Sequence, residues 1–156
     1  MKNLIVLVIA CFFVQSCKKE DAIELLAPKF KISGHIYNNS NYCGGANPPE
    51  ELLIYLNTER PTANAKFYIR KGTINKPNTT IYKIISTDSD GLFSSNLPKG
   101  KYVAITAEKF NLESNPLMAG CEWLTKPDFK IIVSEENTNL QAHFTLDCNP
   151  CLGTPN

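Results

Sequence analysis

The chain has 156 residues, of which 16 are Lys or Arg and 15 are Asp or Glu, for a formal net charge of +1. That length suits one domain better than two. The near-neutral balance lacks the basic footprint that drives nucleic-acid binding by counterion release, so nucleic acid is not an expected partner.

Met1-Lys2-Asn3 is a short basic start, and Leu4 to Val14 is an unbroken apolar run. The run falls short of the about 20 apolar residues that a membrane-spanning helix needs, but it suits the apolar core of a secretory signal. Gln15, the small residue Ser16 and Cys17 follow. A cysteine directly after a small residue resembles the lipobox of bacterial lipoproteins, with Gln15 as the weakest match. The resemblance implies a signal peptide over residues 1–16, cleavage between Ser16 and Cys17, and a lipid on the Cys17 thiol. The alternative is a plain cleaved signal. Without Lys2 the remaining side chains balance at 15 against 15, so no polybasic stretch holds the membrane and the lipid must do so. One acyl chain binds reversibly, whereas two or more anchor stably. Lys18, Lys19, Glu20 and Asp21 are similar to the surface-export signal of Bacteroidota lipoproteins, which implies an outer-membrane anchor displayed on the cell surface. Read from charge alone they are a short solvated run. Residues 17–29 then form the lipidated cysteine and its tether.

From Phe30 the pattern is that of strands. Phe30, Ile32, Gly34 and Ile36 alternate with Lys31, Ser33, His35 and Tyr37, the period-2 signature of a half-buried strand. After a break rich in Asn, Gly and Pro, Asn47-Pro48-Pro49-Glu50-Glu51 predicts a short helix, capped by Asn47 and ending near Asn57. Lys66–Lys71 and Thr80–Thr87 are the next strands. Asp88-Ser89-Asp90-Gly91 is a turn, because Asp and Gly tolerate the backbone angles of a tight reversal. Leu92–Asn96 and Lys101–Ala107 are strands joined by the turn Leu97-Pro98-Lys99-Gly100. Residues 108–128 form a long connection, and Phe129–Ser134 and Leu140–Cys148 complete the series. In the last strand Leu140, Ala142, Phe144 and Leu146 face one way and Gln141, His143, Thr145 and Asp147 the other. Seven short strands without a crossover helix predict a single antiparallel β-sandwich with one short helix, beyond an N-terminal signal helix.

Thr87-Asp88-Ser89-Asp90-Gly91-Leu92-Phe93 and Leu97-Pro98-Lys99-Gly100-Lys101-Tyr102 resemble the core motif of prealbumin-like domains. These include the regulatory domain beside metallocarboxypeptidases and the B-type repeats of collagen adhesins. Pro presets one turn angle, Gly supplies the other, and Tyr102 can bury its ring at the sandwich end. Ile32-Ser33-Gly34-His35-Ile36 resembles the family's first strand. The resemblance covers residues 30–147 of a sandwich assigned to 30–148, with 149–156 as a tail, and departs from the family at 39–65 and 108–128. With Cys43-Gly44-Gly45-Ala46 and Lys71-Gly72, the whole is similar to Bacteroidota lipoproteins that carry this domain alone. Such a resemblance implies a fold and no activity.

Chemistry-bearing residues are few. Asp88 and Asp90 lack the further oxygens of a calcium loop. His35 and His143 fall on outward faces, and the family's strand order makes those strands neighbours, yet two imidazoles do not close a metal site. No metal, cofactor or catalytic set is expected. Adhesin repeats often carry a Lys–Asn or Lys–Asp isopeptide bond assisted by a buried Glu. Lys31 on the polar face and the lack of an inward Glu over 66–107 argue against one here.

Cys43, Cys121, Cys148 and Cys151 remain once Cys11 and Cys17 are set aside. An even number in an exported chain predicts two disulfides, with three possible connectivities. Reduced thiols, a zinc site and a Cys148/Cys151 redox pair are the rival readings. The family's strand directions imply that all four lie at one end, and suggest the pairs Cys121–Cys148 and Cys43–Cys151.

The reading is a non-enzymatic envelope lipoprotein, membrane-bound through its lipid, serving as a binding or structural module toward an envelope protein or glycan. Its rival is a glycan-capture accessory of a polysaccharide uptake system, with Trp123, Tyr42 and Tyr55 as stacking aromatics. An enzyme ranks third, for want of a convergent acid–base set.

Overall fold

The computed structural model describes residues 27–136 and 138–151. The signal peptide, Ser16 and Cys17 lie outside them. Among the described residues no helix is long and apolar enough to cross a membrane.

Alternation of apolar and polar residues produces two packed sheets. β1 (Lys29–Ser40) is followed by helix α1 (Glu50–Asn57), the two-residue β2 (Arg60–Pro61), β3 (Lys66–Lys71), β4 (Lys83–Ser86), β5 (Leu92–Pro98) and β6 (Gly100–Thr106). An excursion carries helix α2 (Ala107–Leu112), a 3₁₀ turn (Pro116–Met118) and helix α3 (Glu122–Thr125), before β7 (Phe129–Val133) and β8 (Thr138–Leu146). In the first sheet β1 is central, bonded antiparallel to β5 and β2 and parallel to β8. The second sheet has the order β4-β3-β6-β7 and is antiparallel throughout. Ile32, Ile36, Phe93, Leu97, Ala142 and Phe144 from one sheet meet Phe67, Ile69, Tyr102, Ala104, Phe129 and Ile131 from the other. Phe67 stands edge-on to Phe129 and Phe144, with ring centroids 5.1 and 5.6 Å away, a favourable aromatic geometry.

The sandwich expectation therefore holds in outline and needs three corrections. The first sheet is mixed, because the first and last strands run parallel. Pro61 and Arg60 form an additional short strand against Tyr37 and Asn38. The 108–128 connection is helical in three short pieces, so α1 is one of several helices. Asn47 does not cap α1. The helix starts after Pro49 without a side-chain cap and buries none of its residues.

Each motif turn makes a corner where the chain changes sheets, one at either end of β5. Asp88 Oδ1 accepts the backbone N–H groups of Asp90 and Leu92, each at 2.9 Å, and Gly91 takes φ +74. The Asp88 carboxylate is thus satisfied by the turn itself. The chain passes from β5 in one sheet to β6 in the other across Lys99 alone. The Tyr102 hydroxyl, on a ring 1 % exposed, donates back to the Pro98 carbonyl at 2.8 Å. Tyr102→Phe should cost about 0.5–1.5 kcal/mol, the net worth of one hydrogen bond. Urea denaturation measures it, and an unchanged midpoint would remove the corner bond from the account.

Candidate functional site

Parallel pairing of β1 and β8 sends both chain segments out of the same end of the sandwich. The ladder runs on past the strands, with the Asn41 N–H donating to the Leu146 carbonyl at 3.0 Å and Asn41 Nδ2 to Asp147 Oδ1 at 2.7 Å. Cys43 and Cys148 therefore emerge side by side and form a disulfide, with their Cα atoms 5.4 Å apart. Cys151 then reaches Cys121, just before α3, and forms the second, with Cα atoms 6.0 Å apart. These pairs correct the suggested Cys121–Cys148 and Cys43–Cys151. That suggestion placed the strand after Cys121 beside the last strand. Instead β7 is hydrogen-bonded to β6 in the other sheet, and α3 separates Cys121 from it.

The Cys43–Cys148 bridge spans 105 residues and the Cys121–Cys151 bridge 30. Replacing both cysteines of either pair by Ser should cost about 2–4 kcal/mol, the longer bridge about 1 kcal/mol more than the shorter. Guanidinium denaturation of the two double variants checks the order, and a larger loss from the shorter bridge would contradict the chain-entropy account.

Two buried ion pairs fasten the helical excursion to the sheets. Arg70 on β3 grips Glu113 bidentately, Nη1 to Oε1 at 2.5 Å and Nη2 to Oε2 at 2.6 Å, both side chains 3 % exposed. Asn75 accepts from Arg70 Nη1 at 2.6 Å and donates to the Leu124 carbonyl at 2.6 Å, and the Asn78 N–H donates to Glu113 Oε2 at 3.0 Å. Burial alone would raise the Glu113 pKa. The Arg70, Asn78 and Asn75 hydrogen bonds and the Arg70 charge outweigh it and hold the carboxyl below its ordinary value. Lys109 donates to Asp128 Oδ1 at 2.7 Å and to the Lys126 carbonyl at 3.0 Å, while Asp128 Oδ2 accepts the Thr106 N–H at 2.6 Å. The Lys109 ammonium also stands 4.9 Å from the centre of the Trp123 ring, within cation–π range. Met118, Cys121, Trp123 and Leu124 make a small second core there.

Between this excursion and the disulfides lies an open cleft of about 770 Å³. Asn41, Tyr42 and Asp147 form one wall, and Gly120 to Trp123 with Lys126 the other. Amide, carboxylate and ammonium groups suit hydrogen bonding to a polar ligand. Among the described residues lining it there is no histidine, serine or threonine, and its cysteines are all in disulfides. Tyr42 is half-buried, but Trp123 is only 6 % exposed and packs in the second core. Tyr55 lies on α1, apart from the cleft, with the Arg60 guanidinium 3.8 Å from its ring centre. The three candidate stacking aromatics are therefore not gathered into one platform.

The two histidines do lie on neighbouring strands, but Tyr37 separates them. Its ring stacks on His35 at 5.6 Å and on His143 at 5.2 Å, and His143 Nδ1 lies 3.0 Å from Glu59 Oε1. Among the described residues no three His, Cys, Asp or Glu side chains are grouped to hold a metal. Sequence reasoning overlooked Asn41, Asp147 and Lys126. The first two stand at matching positions just beyond parallel strands, a signal readable only once the register is known.

No protein-family model matches the chain, and no curated protein matches it. Among solved structures it is similar to the N-terminal domain of the shaft pilin SpaA from Lactobacillus rhamnosus GG, at 14% identity and a TM-score of 0.40, over 76% of this chain and 94% of that one. It is also similar to GBS52, the minor pilin of Streptococcus agalactiae, at 13% identity and a TM-score of 0.38, over 83% of this chain and 48% of that one. A third likeness is to the full-length major pilin SpaD from Corynebacterium diphtheriae, at 13% identity and a TM-score of 0.36, over 77% of this chain and 32% of that one. The chain thus spans about half the length of the minor pilin and a third of the major pilin.

Proposed function

We propose that this chain is a non-enzymatic, lipid-anchored β-sandwich of the bacterial envelope, displayed on the outer surface as a binding or structural module. The observation that carries the extracytoplasmic part is the pair of disulfides downstream of the apolar leader, since such bonds persist in oxidising compartments. The lipid rests on Ser16-Cys17, and surface display on Lys18 to Asp21. A tether ending at Cys17 leads to the start of β1, and β1 is 12 residues long. The disulfide end and its cleft would stand about 40 Å from that start, at 3.3 Å per residue, on the side away from the anchor.

Burial of Trp123 weighs against glycan capture by aromatic stacking. The polar cleft keeps a hydrogen-bonded glycan as the second reading. A cleft whose cysteines are all in disulfides, with no serine, threonine or histidine among its described lining residues, offers no activated nucleophile, which weighs against an enzyme.

Metabolic labelling with a fatty acid tests the anchor. Label should appear on the wild-type chain and vanish in Cys17→Ala, and labelling that survives the substitution would overturn the anchor assignment. Protease added to intact cells should digest the wild type. Full protection of a labelled protein would place the anchor in an inward-facing leaflet.

A further inference from the structure

Strands at sheet edges leave N–H and C=O groups unpaired, and most edges here are guarded. β4 has four residues and begins with Lys83, and β7 has five and carries Lys130. Along β5 the Lys83 ammonium donates to the Asn96 carbonyl at 3.1 Å, and the strand ends in Pro98. Short length, lysine and proline are the usual devices against edge pairing. β8 has none of them. Its nine residues, Thr138–Leu146, include no Lys, Arg, Asp, Glu or Pro, and among the described residues it is bonded only to β1.

The ladder identifies which backbone groups are free. The Leu146 carbonyl accepts from Asn41, and the Leu140 carbonyl lies against Gly34, so even-numbered residues turn their backbone groups toward β1. Asn139, Gln141, His143 and Thr145 consequently turn theirs away. No backbone hydrogen bond ties those four to another described element. Beside the second half of the strand runs an open groove of about 470 Å³, with His143 to Thr145 on one side and Lys126 to Asp128 on the other. The edge is reachable by an incoming strand.

We infer that β8 pairs antiparallel with β8 of a second copy of this chain. The sequence of the strand carries the choice of partner, because it is complementary to itself. A two-fold axis at Ala142 brings outward-turned residues together, Gln141 opposite His143 and Asn139 opposite Thr145. Each such pair exchanges two N–H···O bonds. No acidic or basic side chain of the strand meets its like, which would oppose pairing, and the small Ala142 lies on the axis. On the inner face the half-buried Leu140 comes opposite Phe144 of the second copy. The contact is isologous and closes at two copies, so it makes a dimer and not a fibre.

Cysteine cross-linking of the full chain, exported by a bacterial host and kept in mild detergent, tests the pairing and its register. A Gln141→Cys chain coexpressed with a His143→Cys chain should give a non-reducing band at about twice the mass of one chain, with peptide mapping placing the new bond between those two positions. A Gln141→Cys chain coexpressed with an Asn139→Cys chain, which puts the second cysteine four positions from the one opposite Gln141, should stay at one mass. Gln141→Pro on the cross-linking partner removes an N–H that must donate across the axis while leaving the β1 ladder intact, and should reduce the dimer at least about tenfold. Gln141→Lys, which places a guarding charge on the edge, should do the same without a proline. A single-mass species from the Gln141→Cys and His143→Cys mixture would overturn the inference. So would cross-linking equally in the displaced register, or dimers that survive both edge variants.

Discussion

Glu113→Ala should destabilise the domain by about 3–5 kcal/mol, because it leaves the Arg70 guanidinium buried and unneutralised. The loss is not that of a surface ion pair, which is worth about 0–1 kcal/mol. Asn75, Asn78 and the Leu124 carbonyl share the network, so the excursion that walls the cleft should loosen with it. Denaturant unfolding gives the magnitude, and amide exchange over residues 107–125 gives the location. A loss below about 1 kcal/mol would mean that water reaches Arg70. The double replacement Arg70→Met with Glu113→Leu should recover much of the stability, since an apolar pair removes both desolvated charges. The same network sets a pH dependence. The Glu113 pKa is lowered by folding, so its contribution is present above the ordinary carboxylate pKa and is lost as pH falls through the lower folded value. Acid should therefore narrow the gap between wild type and Glu113→Ala, the reverse of what a raised pKa would give.

Gly34→Ala should be as damaging, although it adds one methyl group. A Cβ at this position would lie 1.7 Å from the Leu140 carbonyl oxygen, a backbone atom of β8 that cannot rotate away. To accept it, β1 and β8 must separate across a ladder that runs from Ile32 to Ser40. We expect a loss of about 3 kcal/mol or more, at the upper end of overpacking penalties. Cys43 and Cys148 continue those strands, so a displaced ladder should also slow formation of their disulfide. Thermal unfolding and non-reducing mapping of Gly34→Ala test both effects. A near-normal midpoint would mean that β8 shifts at little cost and that the close approach is not structural.

The fold was legible where local physics decides it. Alternation marks β1 and β8 because each buries one face, and Asp88-Ser89-Asp90-Gly91 and Leu97-Pro98 mark turns because Asp, Gly and Pro have narrow backbone preferences. Residues 108–128 look like one long connection by sequence because the helices found there have only six and four residues. Segments of that length carry no full period and are stable only through tertiary contacts such as Arg70–Glu113 and Lys109–Asp128. Those partners lie 43 and 19 positions apart, so no local pattern joins them. The family resemblance put the four cysteines at one end, but their pairing depends on which strand enters which sheet. By sequence Trp123 is a loop aromatic and a candidate ligand contact. Its burial follows from the second core, which the sequence disguises as punctuation between Pro116 and Pro127.

Tension gives the Cys43–Cys148 bond a separate consequence. A pull applied at Lys29 and at Cys151 follows β1 to Cys43, crosses to Cys148 and leaves three residues later, so it never travels through the intervening chain. With 105 positions between the bonded cysteines, about 350 Å of contour at roughly 3.4 Å per residue is withheld from stretching. Along that route β1, an extended strand of 12 residues, bears the tension in its own covalent backbone, so its hydrogen bonds to β5 and β8 carry none of it. While oxidised, the domain transmits load between its two ends as a strut of nearly fixed length.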